Sequence, residues 1–350
     1  MCSNLLQKHV GNKPKDILII GAGLAGTTLA IELIDRGLNV QLVDNQMSNS
    51  SSRVAAGIIN PIVPKGVKRT WQYTEIFPSV FSYYRKLEAR FQTSFIHEYP
   101  MIQIHANENE RHEWRKRAES PEMADLLTPN GENTIVHFCG RLDVSKFLQT
   151  CQLEIQKSHQ FKSEQFNYSD VIFLENEKVE YHQEQFDRII FCEGIGVKQN
   201  PWFNYLFFDP TGGDILTVKI PNLPNKEIIK QKQWIVPTQE KDTFLLGSTF
   251  HKQSISYLPN PDDAEFLLAR ARVITGKEVS LIKHERSVRP TVQHRRPYLG
   301  KHATLDTLMI YNGLGSKGSA LCSWLSPMMA NYIVNNGTLN EEVNIANYKN

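Results

Sequence analysis

Apolar residues in this chain fall into short runs, and the runs alternate with longer stretches of helical period. Asp16 to Ile20 and Asn39 to Val43 are each nearly continuous in apolar side chains. A strand covered on both faces needs that composition. Between them, Thr27 to Gly37 reads as a helix. Two later runs have the same buried-strand character: Phe186 to Phe191, which continues to Gly194, and Leu308 to Tyr311. Ser319 to Asn335 reads as a helix after the second. A different kind of segment lies between. Asp214 to Ile220, Gln233 to Pro237 and Thr243 to Gly247 are strand-like runs separated by polar and proline-rich turns, the spacing of an antiparallel or mixed sheet. Pro261 to Thr275 is amphipathic, with Phe266, Leu267, Ala269, Ala271 and Val273 as its apolar positions. Thr74 to Phe91 reads as one further helix, whose Phe77, Phe81 and Tyr84 are expected in the core. The 189–191 and 309–311 runs belong in one sheet with the first two strands, so the segments between must leave that sheet and return.

The link between the first strand and helix carries the most specific chemistry. Gly21-Ala22-Gly23-Leu24-Ala25-Gly26 follows the strand at once, and Asp44 closes the second strand. In such a turn the first glycine allows the bend, the second lets backbone approach a pyrophosphate, and the third lets helix and strand pack closely. The helix N-terminus then presents N–H groups and a positive dipole end to phosphate. An acid about 20 residues further on can accept ribose hydroxyls. The turn, the helix and Asp44 together predict a dinucleotide site.

Composition narrows the partners. The chain has 350 residues, a formal charge of +2 and five scattered cysteines, Cys2, Cys139, Cys151, Cys192 and Cys322. That length suits two interleaved domains. No cysteine pair has metal-ligand or redox spacing, so no metal site is expected and a reducing, cytoplasmic setting is. Met1 to Lys15 lacks a signal-peptide core, and no apolar run is long enough to span a membrane.

A second glycine-rich strand-to-helix turn lies near the C-terminus: Asn312-Gly313-Leu314-Gly315-Ser316-Lys317-Gly318. A flavin needs a positive group or helix N-terminus near its N1 and O2 atoms to stabilise the reduced anion. The second turn therefore favours FAD over a nicotinamide. Two further segments fit: the strand ending at Gly194, whose bare backbone could lie against a cofactor, and Ser287-Val288-Arg289-Pro290-Thr291, which sets an arginine beside a proline-stiffened turn.

With these motifs the chain resembles the FAD-dependent D-amino-acid oxidase family, which includes glycine and sarcosine oxidases. The resemblance rests on the 21–26 turn with Asp44, on Ser51-Ser52-Arg53-Val54-Ala55-Ala56-Gly57, on Gly140 to Leu148, on Val288 to Thr291 with Pro297 to Gly300, and on Gly313 to Gly318. Leu314-Gly315-Ser316-Lys317-Gly318 and Leu246 to His251 are most similar to motifs of the oxidase domain of MnmC, a bifunctional enzyme that modifies the wobble uridine of tRNA. The implied fold is α/β: a Rossmann-like, glutathione-reductase-type FAD-binding domain (residues 1–75, 140–200 and 288–350) with an inserted substrate domain (76–139 and 201–287) on a mixed or antiparallel sheet. The implied non-covalent FAD site comprises Gly21, Gly23, Leu24, Ala25, Gly26, Asp44, Asn45, Ser52, Arg53, Ala56, Gly57, Gly194, Gly313, Gly315, Ser316, Lys317 and Gly318.

An oxidised flavin accepts a hydride equivalent from a C–H beside nitrogen. Arg289 is the expected anchor for a substrate carboxylate, since its planar fork can donate two parallel hydrogen bonds. The competing role for it is a structural ion pair. Arg289 and Lys317 are the catalytic candidates, and His251 is carried beside Arg289 as a substrate contact. His284 and His294 are not assigned. Three readings stay open: oxidation of a small amine or amino acid, removal of a carboxymethyl group from a modified tRNA uridine, and an FAD protein without turnover. A tRNA partner would need basic patches, and the candidates are Arg111 to Arg117, the lysines 226, 230 and 232, and His294 to Arg296.

Overall fold

The four buried-strand runs do share one sheet. In a computed structural model that describes residues 16–158, 160–252 and 254–348, six strands lie in the order Phe161–Ser163, Val40–Asp44, Ile17–Ile20, Arg188–Phe191, Leu308–Asn312 and Tyr298–Lys301. The first five are parallel and the last is antiparallel. Ile17 and Ile19 face one apolar cluster, and Leu18 and Ile20 face another. Burial on both faces is why these strands read as continuous apolar runs.

The first cluster is filled by the helices Leu24–Asp35, Val144–Lys157 and Gly318–Asn335. The first and last of these touch, with Thr28 Oγ1 and Ser326 Oγ hydrogen-bonded at 2.7 Å. A nine-stranded mixed sheet forms the second layer of the molecule. Its strands come from residues 101–136 and 211–289, and one pair, Met101–Gln103 with Ile228–Lys230, is parallel. Its longest strands, Thr211–Lys219 and Ser280–Arg289, pair antiparallel along their length.

Three expected elements differ in detail. The helix read over 74–91 is two helices, Tyr73–Ile76 and Val80–Phe91, because Pro78 cannot supply an N–H to continue the first. Phe77 and Tyr84 are nonetheless core residues. The run 186–194 starts on the last residue of a hairpin strand, Glu184–Phe186, and then holds the parallel strand Arg188–Phe191, which ends three residues before a 3-10 turn opens at Gly194. The helix Pro261–Thr275 has the expected limits, yet it buries Ala264, Leu267 and Ala271 and leaves Phe266 and Val273 exposed. Positions i, i+3 and i+7 share a face at 100° per residue, and Phe266 and Val273 fall outside that stripe. Among the described residues, no helix is long and apolar enough to cross a membrane.

Candidate active site

The first turn is built so that only glycine fits two of its positions. Gly21 has φ +97°, and a Cβ there would lie 2.5 Å from the Cys192 carbonyl oxygen on the adjoining strand. A Cβ on Gly26 would lie 1.9 Å from the Gly21 oxygen. Gly23 caps the helix Leu24–Asp35 without a side-chain hydrogen bond, and no acid lies in the first helical turn. The Leu24 N–H donates to Ser52 Oγ at 3.1 Å. Ala25 and Gly26 keep N–H groups outside the intrahelical ladder. Asp44 holds the turn in shape: Oδ2 accepts from the Ala22 N–H at 2.7 Å and Oδ1 from the Gln46 N–H at 2.6 Å.

The next segment docks onto this turn. Ser51–Val54 is a short helix, Arg53 donates to Gln152 Oε1 at 3.3 Å, and Gln152 Nε2 donates to the Ala22 oxygen at 2.8 Å. Ala56 is buried, and Gly57, at φ +74°, has no room for a Cβ against the Leu142 oxygen. Asn45 is exposed and donates to Gln165 Oε1.

The second turn meets the first. A Cβ on Gly318 would be 3.1 Å from Leu24 Cδ1, so the two helix N-termini lie side by side. Neither has an acid in its first turn, which leaves two positive dipole ends converging on one place. Asn312 ties this turn to Gly194: its Nδ2 donates to the Gly194 oxygen at 2.8 Å, and its Oδ1 accepts from the Gly313 N–H. Gly194 (φ +56°) and Gly315 (φ +57°) have open space where a side chain would stand, and Ser316 is exposed. Lys317 is largely buried and donates to Thr70 Oγ1. Burial, and secondarily the nearby Arg295 charge, draw its ammonium down to about 8.

Arg289 stands at the end of the strand Ser280–Arg289. It has no acid partner in the described structure, and its Nη1 is buried without a hydrogen bond. Burial lowers its guanidinium to about 10. The Phe250 ring centroid is 4.5 Å from Cζ. Three residues earlier, Arg286 is placed quite differently. It donates to both Asp214 and Asp263, and Asp214 also accepts from His284 Nε2 at 2.7 Å. Asp214 is fully buried; burial alone would raise its carboxyl, but the Asn260 N–H, Asp263, His284 and Arg286 together hold it below the usual range. His251 belongs to this cluster, with Nε2 2.6 Å from Asp263 Oδ2. Asp214, His251 and Asp263 are close enough to share a cation, and the Arg286 guanidinium supplies one.

The profile of the FAD dependent oxidoreductase family (DAO) matches residues 16–332. The chain belongs to that family. Glycine oxidase from Bacillus cereus superimposes with a TM-score of 0.77 at 16% identity, over 93% of this chain and 96% of that one. Iminodiacetate oxidase from Chelativorans superimposes with a TM-score of 0.75, also at 16% identity, over 93% and 96%. In sequence, the chain is 22% identical over 364 aligned positions to the Idiomarina loihiensis tRNA 5-methylaminomethyl-2-thiouridine biosynthesis bifunctional protein MnmC. That alignment takes in 94% of this chain and 58% of the relative, so the chain spans little more than half of the relative's length.

The residues present suit the FAD this family uses. Two adjacent helix N-termini with no acid in the first turn suit a pyrophosphate and an electron-rich ring edge, and Gly21 and Gly26 let the first turn close tightly on its own backbone and on the neighbouring strand. Asp44, Asn45, Ser52, Arg53, Gly194 and the 313–318 turn all border these helix ends or the segments docked on them. His251 is instead engaged by Asp263. Gln152 and Thr70 are contributions that the linear motifs did not signal. Gln152 sits on a buried helix face with no pattern around it, and Thr70 follows a short hairpin (Ile62–Val63 with Lys68–Arg69) of only two residues a strand.

Proposed function

We propose that this FAD-dependent oxidoreductase oxidises the CH–NH bond of an amine that carries a carboxylate, with Arg289 as the carboxylate anchor. The observation that carries this is the buried Nη1 of Arg289 without a partner. A buried donor left unmade costs about 1–3 kcal/mol, and a substrate carboxylate would relieve that cost. Glycine and iminodiacetate, the compounds in the names of two structural neighbours, both have an amine one carbon from a carboxylate.

FAD supplies the hydride acceptor when bound. The chain's part is to bind, orient and exclude water. The two helix N-termini and Gly21, Gly23 and Gly26 hold the dinucleotide. Arg289 fixes the polar end of the substrate, so that the carbon beside nitrogen is presented in one orientation. Lys317 and the N-terminus of the helix it opens would supply positive charge for a bound flavin. The product imine is hydrolysed by water. A neutral amine needs no proton removed by the protein, in keeping with the engagement of His251 and His284 by Asp263 and Asp214. Steady-state kinetics of Arg289→Leu with carboxylate-bearing amines tests the assignment. KM should rise about 10- to 150-fold, the worth of a charged hydrogen bond, with FAD content unchanged.

A second reading, oxidation of a carboxymethylamino group on tRNA, is favoured by one surface feature. His294 and Arg295 are exposed, Arg295 is close enough to Lys317 to lower its pKa, and Arg296, though paired with Glu342 at 2.7 Å, lies over the Trp71 ring at 4.7 Å. This is a basic, aromatic rim beside the second turn. The other patches argue less well for RNA. Arg111 is paired with Glu108 and Glu132, and Arg117 with Glu122. Burial lowers the Lys230 ammonium. Binding of tRNA that weakens steeply with salt would support this reading, and none at low salt would remove it.

A further inference from the structure

We propose that Gly213 and Phe250 are positioning residues for Arg289, and that they set the plane in which its guanidinium meets a substrate carboxylate. The proposal rests on the reading of Arg289 as the anchor.

Gly213 lies on the strand Thr211–Lys219, which pairs with the arginine's own strand, Thr211 opposite Arg289. Its backbone gives no reason for glycine, because its φ is not in the left-handed region. The reason is space. A Cβ at Gly213 would lie 2.6 and 2.8 Å from Arg289 Nη1 and Nη2, and 2.3 Å from the Thr249 oxygen. Both terminal nitrogens of the fork thus rest against bare backbone. Gly212 makes the same allowance for Arg286, whose Nη2 would be 3.1 Å from a Cβ there. Two adjacent glycines therefore seat two arginines, and their fates differ. Arg286 is neutralised by Asp214 and Asp263, whereas Arg289 is left with no acid.

Phe250 supplies what Arg289 lacks from acids. The ring is 65% exposed, an unusual cost for phenylalanine, and its centroid is 4.5 Å from the guanidinium carbon. A π face attracts a cation without satisfying its N–H groups. The ring can hold the guanidinium in one plane and still leave its donors for an incoming anion. A carboxylate side chain in the same place would hold the arginine too, but it would occupy the fork. Gly213 and Phe250 together keep a buried cation ordered and chemically unspent, which suits a site that must bind a carboxylate and release it.

The test uses the purified holoenzyme with acetate as a probe of the carboxylate seat, read by perturbation of flavin absorbance. Phe250→Leu should weaken acetate about two- to fivefold, and Phe250→Trp should restore it. Gly213→Ala should weaken it at least about tenfold, the worth of a lost charged hydrogen bond, with flavin retained. In an Arg289→Leu background, Phe250→Leu should add nothing, since Phe250 acts only through the arginine. Wild-type acetate affinity in Phe250→Leu, or the same loss with and without Arg289, overturns the proposal while leaving the anchor assignment standing. If Gly213→Ala does not fold, the Phe250 comparison decides alone. Acetate that does not bind the wild-type holoenzyme, or binds Arg289→Leu equally well, overturns the anchor assignment and this proposal with it.

Discussion

Replacing Arg289 with leucine should move stability and substrate binding in opposite directions. The guanidinium falls from 12.5 to about 10 because burial outweighs the nearby Asp214 charge, which the Arg286 charge in turn opposes, and no acid pairs with it directly. At ~1.36 kcal/mol for each tenfold change, that drop corresponds to ~3 kcal/mol of cost to the charged form. The Phe250 contact offsets about 0.5–1 kcal/mol of it, and partial exposure of the side chain removes more. A net gain of about 1–2 kcal/mol for Arg289→Leu in the flavin-free protein is the expected result. The assay is urea unfolding of wild type and variant at neutral pH, both stripped of flavin, with equal m-values required for the comparison. In the holoenzyme the same change should raise KM for carboxylate-bearing amines by about 10- to 150-fold. A structural arginine behaves in the opposite way: breaking a buried pair destabilises by about 3–5 kcal/mol. Loss of stability on that scale, or an unchanged KM, would refute the account of this residue.

Three further outcomes follow from the same geometry. Gly23→Val should purify largely without flavin, because its branched side chain would stand at the uncapped helix end, where a Cβ already approaches Ser52 Oγ at 2.9 Å; an absorbance spectrum at full flavin content would misplace the phosphate turn. Lys317 falls from 10.5 to about 8 on folding, so between those pH values the unfolded chain holds a proton the folded chain has lost, and stability rises with pH. Lys317→Met should therefore be more stable than wild type below about pH 8 in the flavin-free protein, with the gap closing towards pH 10.5, and a pH-independent gap in urea midpoints would place the ammonium in solvent. Reversing Arg295 to Glu should weaken any salt-sensitive tRNA binding and flatten its salt dependence; tRNA affinity equal to wild type would clear this rim of a role.

The fold was legible where a residue's surroundings are encoded nearby. The apolar runs at 16–20 and 308–311 announce burial on two faces, and the glycines of the first turn announce a backbone path no other residue can follow. The helix 261–275 was legible in its limits because Asn260 caps it and Gly276 ends it in the left-handed region. Its inward face was less so, since Phe266 and Val273 are apolar yet exposed. The site was legible only in part. Gly21 and Gly26 owe their identity to close approaches within the motif or across one strand. Gly213 owes its own to the Thr249 backbone oxygen and to a side chain 76 positions later, which it meets only because distant strands pair. The contrast between Arg286 and Arg289 has the same origin. Both are arginines in one strand, and which of them is spent on acids depends on where Asp214 and Asp263 fall in space.

The central claim is that a flavin in this site is reduced by an amine through its carboxylate. Anaerobic mixing of the holoenzyme with sarcosine and with glycine, each against the amine left when its carboxylate is removed, tests it most directly. Bleaching of the oxidised flavin by a carboxylate-bearing amine, and not by its decarboxylated counterpart, is the predicted result. Equal bleaching by both members of a pair would contradict the claim.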